Sequence, residues 1–318
     1  MGLSPPPAFG QNGREGENMT GPSAIGARPG APEMRFYLPA EGLRPLVTSY
    51  YFLESAEPLV DFTHPEWANI RFALNGEWRF EDDQGRETIE PPRAVLFGPT
   101  DRARRFATDG GLVLGVGLTP LGWLTLIGSD ASELANRTVP LDRQLGPSGT
   151  AIRSRLIEVR TDAERIAILD AILEARPASQ SAYRGLAVRV QQALLSGAVD
   201  QVVDLAEQLG IEQRTLHRVC TTVFGFPPVR LLRRQRFLRT LSKVRDRLDQ
   251  PLGELIDPGY YDQAHFNRDF KACMGMTPLA YFRLPREALR RAAEERHRVL
   301  GAPVQGLHIH RDEAGQGD

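Results

Sequence analysis

The feature that most constrains this chain of 318 residues is an approximate internal repeat in its second half. In the first copy, Asp204-Leu205-Ala206-Glu207-Gln208-Leu209 reads as a short helix that Gly210 ends, because glycine accepts the left-handed conformation a sharp reversal requires. A second helix begins at Ile211-Glu212-Gln213, runs through Arg214-Thr215-Leu216-His217-Arg218-Val219-Cys220, and stops at Gly225 before Pro227-Pro228. Leu205, Ala206, Ile211, Leu216 and Val219 give the two helices one apolar seam, and the small Ala206 permits a close crossing. The second copy runs from residues 252–256 through Gly259 and Tyr260 to Lys271, then Gly275 and Pro278. Phe266, Arg268 and Gly275 follow Gly259 as Leu216, Arg218 and Gly225 follow Gly210, with one residue of offset. Two helices joined at a tight corner read as a helix-turn-helix, whose second helix is shaped for a DNA major groove. The competing reading is an ordinary helical bundle with two similar corners, which a repeat in both copies disfavours.

Charge supports the first reading only once the chain is divided. The whole chain carries a net charge of −1, which by itself argues against a polyanionic partner. Residues 1–183 hold 18 basic and 24 acidic side chains, a net −6, whereas residues 184–300 hold 20 and 13, a net +7, and residues 301–318 contribute −2. A basic half attached to an acidic one points to nucleic acid as the partner of the basic half. On the outward faces of the two second helices, Gln213, His217, Gln263 and Asn267 are candidates for base edges. Arg214, Arg218, Arg230, Arg233, Arg234, Arg268 and Lys271 are candidates for phosphates. Thr215, Thr221, Tyr261 and His265 complete the DNA-facing set. Arg218 and Arg268, at equivalent places in the repeat, read equally well as structural. Asp262 reads as the N-cap of its helix, since an acid there accepts orphan amides.

The rest of the chain divides by composition. Residues 1–33, with seven Gly and six Pro, read as a disordered leader, and residues 301–318 as a flexible tail. Residues 34–178 read as a β-rich sensor or dimerisation domain, and 179–300 as a helical DNA-binding domain. Strands are expected over residues 47–53, 69–74, 77–80, 94–97 and 112–116, which are rich in β-branched and aromatic side chains. Asn75-Gly76, Asp83-Gln84-Gly85 and Asp109-Gly110-Gly111 read as hairpin turns between them. Many short strands at close spacing predict a small antiparallel barrel or sandwich. Ile152, Leu156, Val159, Ile166, Leu169, Ile172 and Leu173 then recur at helical spacing over residues 151–175, a stripe that packs on its own domain or forms a dimer seam. Further helices are expected over 179–195 and 229–248, the latter burying Leu232, Phe237, Leu241, Val244 and Leu248.

Several functions find no residues to carry them. No apolar run approaches the ~18–20 residues of a membrane span, and no secretory signal is legible. Cys220 and Cys273 form no disulfide framework and no zinc pattern, so reducing cytoplasm is the expected compartment. A metal enzyme needs clustered His and carboxylate ligands, but residues 34–178 contain only His64, and His308-x-His310 lies in the expected tail without further ligands. Nucleophile-elbow, phosphate-loop and zinc-protease motifs are absent. No catalytic residue, cofactor or metal is therefore expected. Trp67, Asn69, Arg71 and Trp78, with Arg79, offer aromatic walls and polar handles for a small-molecule pocket.

Residues ~180–283 resemble the DNA-binding domain of the AraC/XylS (arabinose-regulator) transcription factors. The resemblance is carried by Gly259-Tyr260-Tyr261-Asp262-Gln263-Ala264-His265-Phe266, followed by Phe270, Gly275 and Thr277-Pro278. It implies an α+β protein of two domains: an N-terminal antiparallel, cupin-like β barrel or sandwich with helices, and a C-terminal all-α domain with two helix-turn-helix units on a long connecting helix. A connector of ~20 residues spans about 30 Å, near the ~34 Å repeat of successive major grooves. The implied function is that of a sequence-specific transcriptional regulator, not an enzyme. Its implied partners are double-stranded DNA, a small-molecule effector, a second copy in a homodimer and RNA polymerase, with no membrane. The alternative is a cupin-type enzyme or dimerisation module in the N-terminal half beside a non-specific DNA-binding C-terminal half. The chain departs from the family's pattern at Leu255-Ile256-Asp257-Pro258-Gly259, one residue short with Pro258 before the corner, and at Cys220, where a bulky aromatic is usual.

Overall fold

The computed structural model describes residues 31–81, 93–176, 181–246 and 255–308. Strands β1 (Glu33–Tyr37), β2 (Val47–Ser55), β3 (Leu59–Thr63), β4 (Asn69–Phe80), β5 (Ala94–Phe97), β6 (Arg104–Leu118) and β7 (Thr138–Pro140) form one antiparallel sheet in the order β1-β2-β6-β4-β5-β7. The long β6 pairs along one edge first with β3 and then with β2, and along the other with β4.

Two expected hairpin turns lie inside strands. Asn75-Gly76 and Asp109-Gly110-Gly111 face each other within β4 and β6, with Gly76 opposite Gly111 and the register shifting on both sides of Asn75-Gly76. Gly76, Gly110 and Gly111 have φ of 70°, 119° and 131°, and a Cβ on Gly76 would lie 2.0 Å from the Gly110 carbonyl oxygen. These residues carry turn chemistry because a bulge needs the same left-handed backbone as a turn. Residues 69–74 and 77–80 are consequently one strand. Asp83-Gln84-Gly85 lies outside the described residues.

Side-chain alternation divides the sheet into two faces. Phe72, Leu74, Leu96, Leu114 and Val116 share a core with Leu141, Leu156, Leu169 and Leu173 from helices that cover one face. After a single turn, α1 (Pro120–Gly122), these helices are α2 (Leu141–Leu145), α3 (Ser148–Glu158) and α4 (Asp162–Glu174). The helical stretch expected over 151–175 is two helices. Val159 is extended, and Thr161 starts α4 with a capping box in which its hydroxyl accepts from the Glu164 amide and the Glu164 carboxylate accepts from the Thr161 amide. The opposite face presents Leu53, Ala73, Val95, Phe97 and Val113.

The basic half is helical: α5 (Arg184–Ser196), α6 (Val202–Leu209), α7 (Gln213–Phe224), α8 (Pro228–Asp246), α9 (Gln263–Met274), α10 (Pro278–Arg283) and α11 (Glu287–Leu300). Helices α6 and α7 form the first helix-turn-helix, with Gly210 left-handed at φ 64° and Leu205, Ala206, Leu209, Leu216, Val219 and Cys220 buried in their seam. Cys220 occupies the place of an aromatic as a small buried thiol. The nineteen residues of α8 span roughly 28 Å and carry Phe237, Leu238 and Leu241 into the core of the second unit around Phe266 and Phe270. Leu248 lies outside the described residues.

The second corner is built differently from the first. Gly259 is not left-handed; its missing side chain allows close approach, since a Cβ there would lie 2.4 Å from Asp200 Oδ2 and 2.9 Å from Arg236 Cδ. Asp257 closes the turn that Pro258 shortens, accepting from the Gly259 amide at 3.1 Å and pairing with Arg239 of α8 at 2.8 Å.

The boundary drawn from composition between the helical domain and its tail is also corrected. Helix α11 leaves the second helix-turn-helix and packs on β1 and β3 of the sheet. Residues 301–308, expected as tail, continue this return path, with Gln305 and His308 buried. Gln305 Oε1 accepts from Asn69 Nδ2 at 3.2 Å, and the adjoining Gly306 carbonyl accepts from Gln235 of α8 at 2.7 Å. Residues 309–318 lie outside the described residues, as do residues 1–30 of the expected leader 1–33, whose last residue, Glu33, begins β1.

Candidate nucleic-acid interface and ligand cavity

Each helix-turn-helix turns one polar helix face to solvent. On α7, Leu216, Val219, Cys220 and Val223 fill the core, which leaves Gln213, Arg214, His217 and Arg218 exposed. Thr215 and Thr221 are half-buried, and the Thr221 hydroxyl donates to the His217 carbonyl at 2.8 Å. Arg218 lies 5.9 Å from the Tyr183 ring centre. On α9, Asp262 is the N-cap and accepts from the His265 amide at 2.6 Å. Gln263, Asn267, Arg268 and Lys271 are exposed on this helix, and Tyr261, just before it, is 94 % exposed.

Four residues proposed for DNA from sequence are otherwise engaged. Arg234 is buried, its guanidinium 3.7 Å above the Trp67 ring and donating to the Thr100 carbonyl at 3.2 Å, so it joins the two halves and is unavailable to a phosphate. Burial pushes its guanidinium down to about 9. Arg233 faces Asp269 at 4.0 Å, and Arg230 faces Asp101 of the sheet domain at 3.4 Å. His265 turns inward, with its ring 5.1 Å from Tyr260 and its Nε2 3.8 Å from the buried Asp269. A basic residue in a basic helix carries no mark in sequence of which side it faces when both sides are polar, and α8 packs on two domains at once.

The second site is a cavity of about 120 Å³ on the open face of the sheet. Leu53, Trp78, Phe80 and Phe106 form its floor, and α11 and residues 303–305 form its roof. Of the residues offered for a small-molecule pocket, Asn69, Arg71 and Trp78 line this cavity and Trp67 does not. Trp67 packs edge-on to Phe224 of α7, and Arg79 lies outside the cavity, paired with Asp109 at 2.9 Å.

The charged lining was mostly missed. Arg71 donates from Nη2 to Glu66 Oε1 and from Nε to the Tyr51 hydroxyl, both at 2.6 Å, and lies 4.2 Å above the Phe97 ring. Arg296 of α11 is 6 % exposed. Its Nη1 reaches Ser49 Oγ at 3.3 Å, whereas its Nε and Nη2 have no hydrogen-bond partner among the described residues. Burial lowers the Arg296 guanidinium to about 10, opposed by Glu66 and Tyr51 nearby. Burial raises the Glu66 carboxyl, opposed by the two arginines.

One sequence signal does mark this face. Gly115 and Gly117 sit two apart on β6 and therefore share a face. A Cβ would stand 1.9 Å from Tyr51 Cζ at Gly115 and 2.7 Å from Gln305 Nε2 at Gly117. Alternate glycines in a strand announce a close approach to the sheet, here by Tyr51 and the returning chain. Among the described residues, no group of three or more His, Cys, Asp or Glu is placed to hold a metal ion, and no helix is long and apolar enough to cross a membrane.

Paired helix-turn-helix units with polar exposed second helices, carried on an antiparallel-sheet domain, define a DNA-binding regulator of transcription. More particularly, residues 205–284 match the family described as "Helix-turn-helix domain", and they form a helix-turn-helix region of the AraC type. No curated protein sequence matches the chain. Among solved structures, ToxT from Vibrio cholerae overlaps 79 % of this chain and 97 % of its own at 10 % identity, with a TM-score of 0.42. Unsaturated fatty acid-bound wild-type ToxT from Vibrio cholerae strain SCE256 overlaps 72 % and 95 % at 11 % identity, with a TM-score of 0.39. The AraC-like transcriptional activator CuxR overlaps 67 % and 81 % at 17 % identity, with a TM-score of 0.28.

Proposed function

We propose that the chain is a sequence-specific regulator whose affinity for DNA is set by a small molecule held in the cavity between sheet and α11. The observation that carries this reading is the origin of the cavity wall. The floor belongs to the acidic half, whereas Ala288, Ala292, Arg296 and Val304 reach it from beyond the second helix-turn-helix. A ligand there touches both halves, and its free energy of binding depends on how they are arranged. Such differential affinity is the requirement for linkage between ligand and DNA. Gln305 and Gly306 continue the contact to Gln235 on α8, the helix that sets the separation of the two reading units.

In this reading Arg214, Arg218, Arg268 and Lys271 meet phosphates, while Gln213, His217, Gln263 and Asn267 meet base edges, with Tyr261 beside them. The protein acts without catalysis in the cytoplasm, as a homodimer on paired half-sites, in contact with RNA polymerase. The test is a mobility-shift titration of the full chain on DNA upstream of its own and neighbouring genes, at two salt concentrations. Preference for one upstream sequence over random duplex is expected, and equal affinity for both refutes specific regulation. Arg214→Ala and Gln263→Ala should each reduce that preference; unchanged discrimination by folded variants refutes the placement of the reading faces.

A further inference from the structure

Resting on the reading that the cavity holds an effector, we propose that this effector is a small apolar monocarboxylate whose carboxylate pairs with Arg296. The argument begins with charge. The cavity lining contains the guanidinium groups of Arg71 and Arg296 and the carboxylate of Glu66, with the His64 ring among the other lining groups. Arg71 and Glu66 are committed to each other at 2.6 Å, which leaves Arg296 as one buried positive charge in excess. An ion without a counter-ion is costly to hold away from water, and an incoming anion removes that cost.

Geometry selects the anion. Arg296 spends Nη1 on Ser49 Oγ and stacks its guanidinium 5.3 Å from the Phe36 ring centre. Among the described residues, its Nε and Nη2 have no hydrogen-bond partner. These two share one edge of the guanidinium plane, the edge that takes both oxygens of a planar carboxylate in two parallel hydrogen bonds. A single charge matches the single excess charge.

Size and wall chemistry select the body. At about 120 Å³, the space is somewhat below the ~150 Å³ of an apolar protein cavity that admits benzene. One ring or a short chain therefore fills it. Leu53, Trp78, Phe80, Phe106 and Val113 offer no hydrogen-bonding partner except the Trp78 indole, whose Nε1 already donates to the Asn75 carbonyl at 3.2 Å. Hydroxyls of a sugar that faced these five residues would be left unsatisfied, so the part of the ligand remote from Arg296 is apolar.

The test titrates the full-length protein by calorimetry at pH 7 with benzoate, hexanoate and, as neutral counterpart, benzamide. At least one carboxylate should bind, and at least tenfold more tightly than benzamide. Arg296→Gln should bring benzoate and benzamide within threefold of each other, and Ala292→Leu, which extends a roof residue into the space, should weaken both. Equal binding of benzoate and benzamide, a preference that survives Arg296→Gln, or no binding of any probe overturns the proposal. The comparison of benzoate with benzamide needs no variant, so the proposal remains refutable if Arg296→Gln fails to fold. A carboxylate that binds as expected but leaves DNA affinity unchanged upholds the ligand chemistry and overturns the effector reading instead.

Discussion

Gln305→Ala should release the segment that connects the cavity roof to α8. The Gln305 side chain is buried, with Nε2 at 3.3 Å from Thr48 Oγ1, Ala68 O and Leu118 O, and Oε1 at 3.2 Å from Asn69 Nδ2. A primary amide has two protons, so three acceptors share two donors and the side chain makes three full hydrogen bonds at most. At about 0.5–1.5 kcal/mol each, removal costs roughly 2–3 kcal/mol, in the lower half of the range for three bonds. Asn69 also donates to the Trp67 carbonyl, which limits the further penalty for its lost acceptor. The docking equilibrium of residues 301–308 should then fall by roughly 30- to 150-fold, at about 1.36 kcal/mol per factor of ten. Amide hydrogen exchange reads this directly, because the Leu307 and His308 amides donate to the carbonyls of Val304 and Gln305. Both should exchange faster by that factor while amides of α6 and α7 keep their wild-type rates. Gly117→Ala should give the same signature from the opposite side, since its Cβ would stand 2.4 Å from Thr48 Oγ1 and 2.7 Å from Gln305 Nε2. Exchange at Leu307 and His308 within threefold of wild type in both variants would refute the claim that Gln305 holds this segment.

Trp67→Ala removes the ring beneath Arg234 and beside Phe224, and should cost about 3–5 kcal/mol in urea unfolding; a loss below 1 kcal/mol would mean the two halves are held elsewhere. Burial pushes the Cys220 and Cys273 thiols up to about 12, so at pH 8 neither should react with a disulfide reagent until urea unfolds the protein, and a rapid phase without urea would contradict their placement. At Asp257, burial acts to raise the carboxyl, but the Arg239 bond and the Gly259 amide outweigh it and hold it below the ordinary carboxylate range. A folded pKa below the unfolded one contributes stability above the unfolded value of about 3.9, lost as pH falls through the folded value. Asp257→Asn should therefore flatten the decline of the urea midpoint below pH 4, and an unchanged decline counts against the ion pair. Arg268→Ala and Lys271→Ala should each lower the slope of log affinity against log salt by about one, and unchanged slopes in the mobility-shift assay would remove those side chains from the phosphate set.

The reading units were legible because their corners have few chemical solutions. Gly210, the seam of Leu205, Ala206, Leu216 and Val219, and the Asp262 cap each leave a local mark that tertiary packing does not overwrite. Strand chemistry was less transparent. Gly76, Gly110 and Gly111 satisfy a bulge and a turn with the same backbone, so 69–80 reads as two strands and folds as one. Arg234 illustrates the limit for charged residues, since its place beneath a basic helix is decided by Trp67, far away in sequence. Arg296 and Gln305 were out of reach for the same reason: their partners Ser49, Thr48 and Asn69 precede them by more than two hundred residues. The Gly115-x-Gly117 spacing was the one local trace of that approach, and it speaks of space without saying what fills it.

The return of α11 to the sheet also bears on biosynthesis. When the sheet and its covering helices have left the ribosome, the floor of the cavity exists without its roof, because Ala288, Ala292, Arg296 and Val304 are still to be made. The cavity is completed only after both helix-turn-helix units have been synthesised. A product that stops after α10 has both helix-turn-helix units and lacks the roof of the cavity. If the cavity holds the proposed effector, loss of α11 is expected to yield a protein whose DNA affinity no longer responds to it.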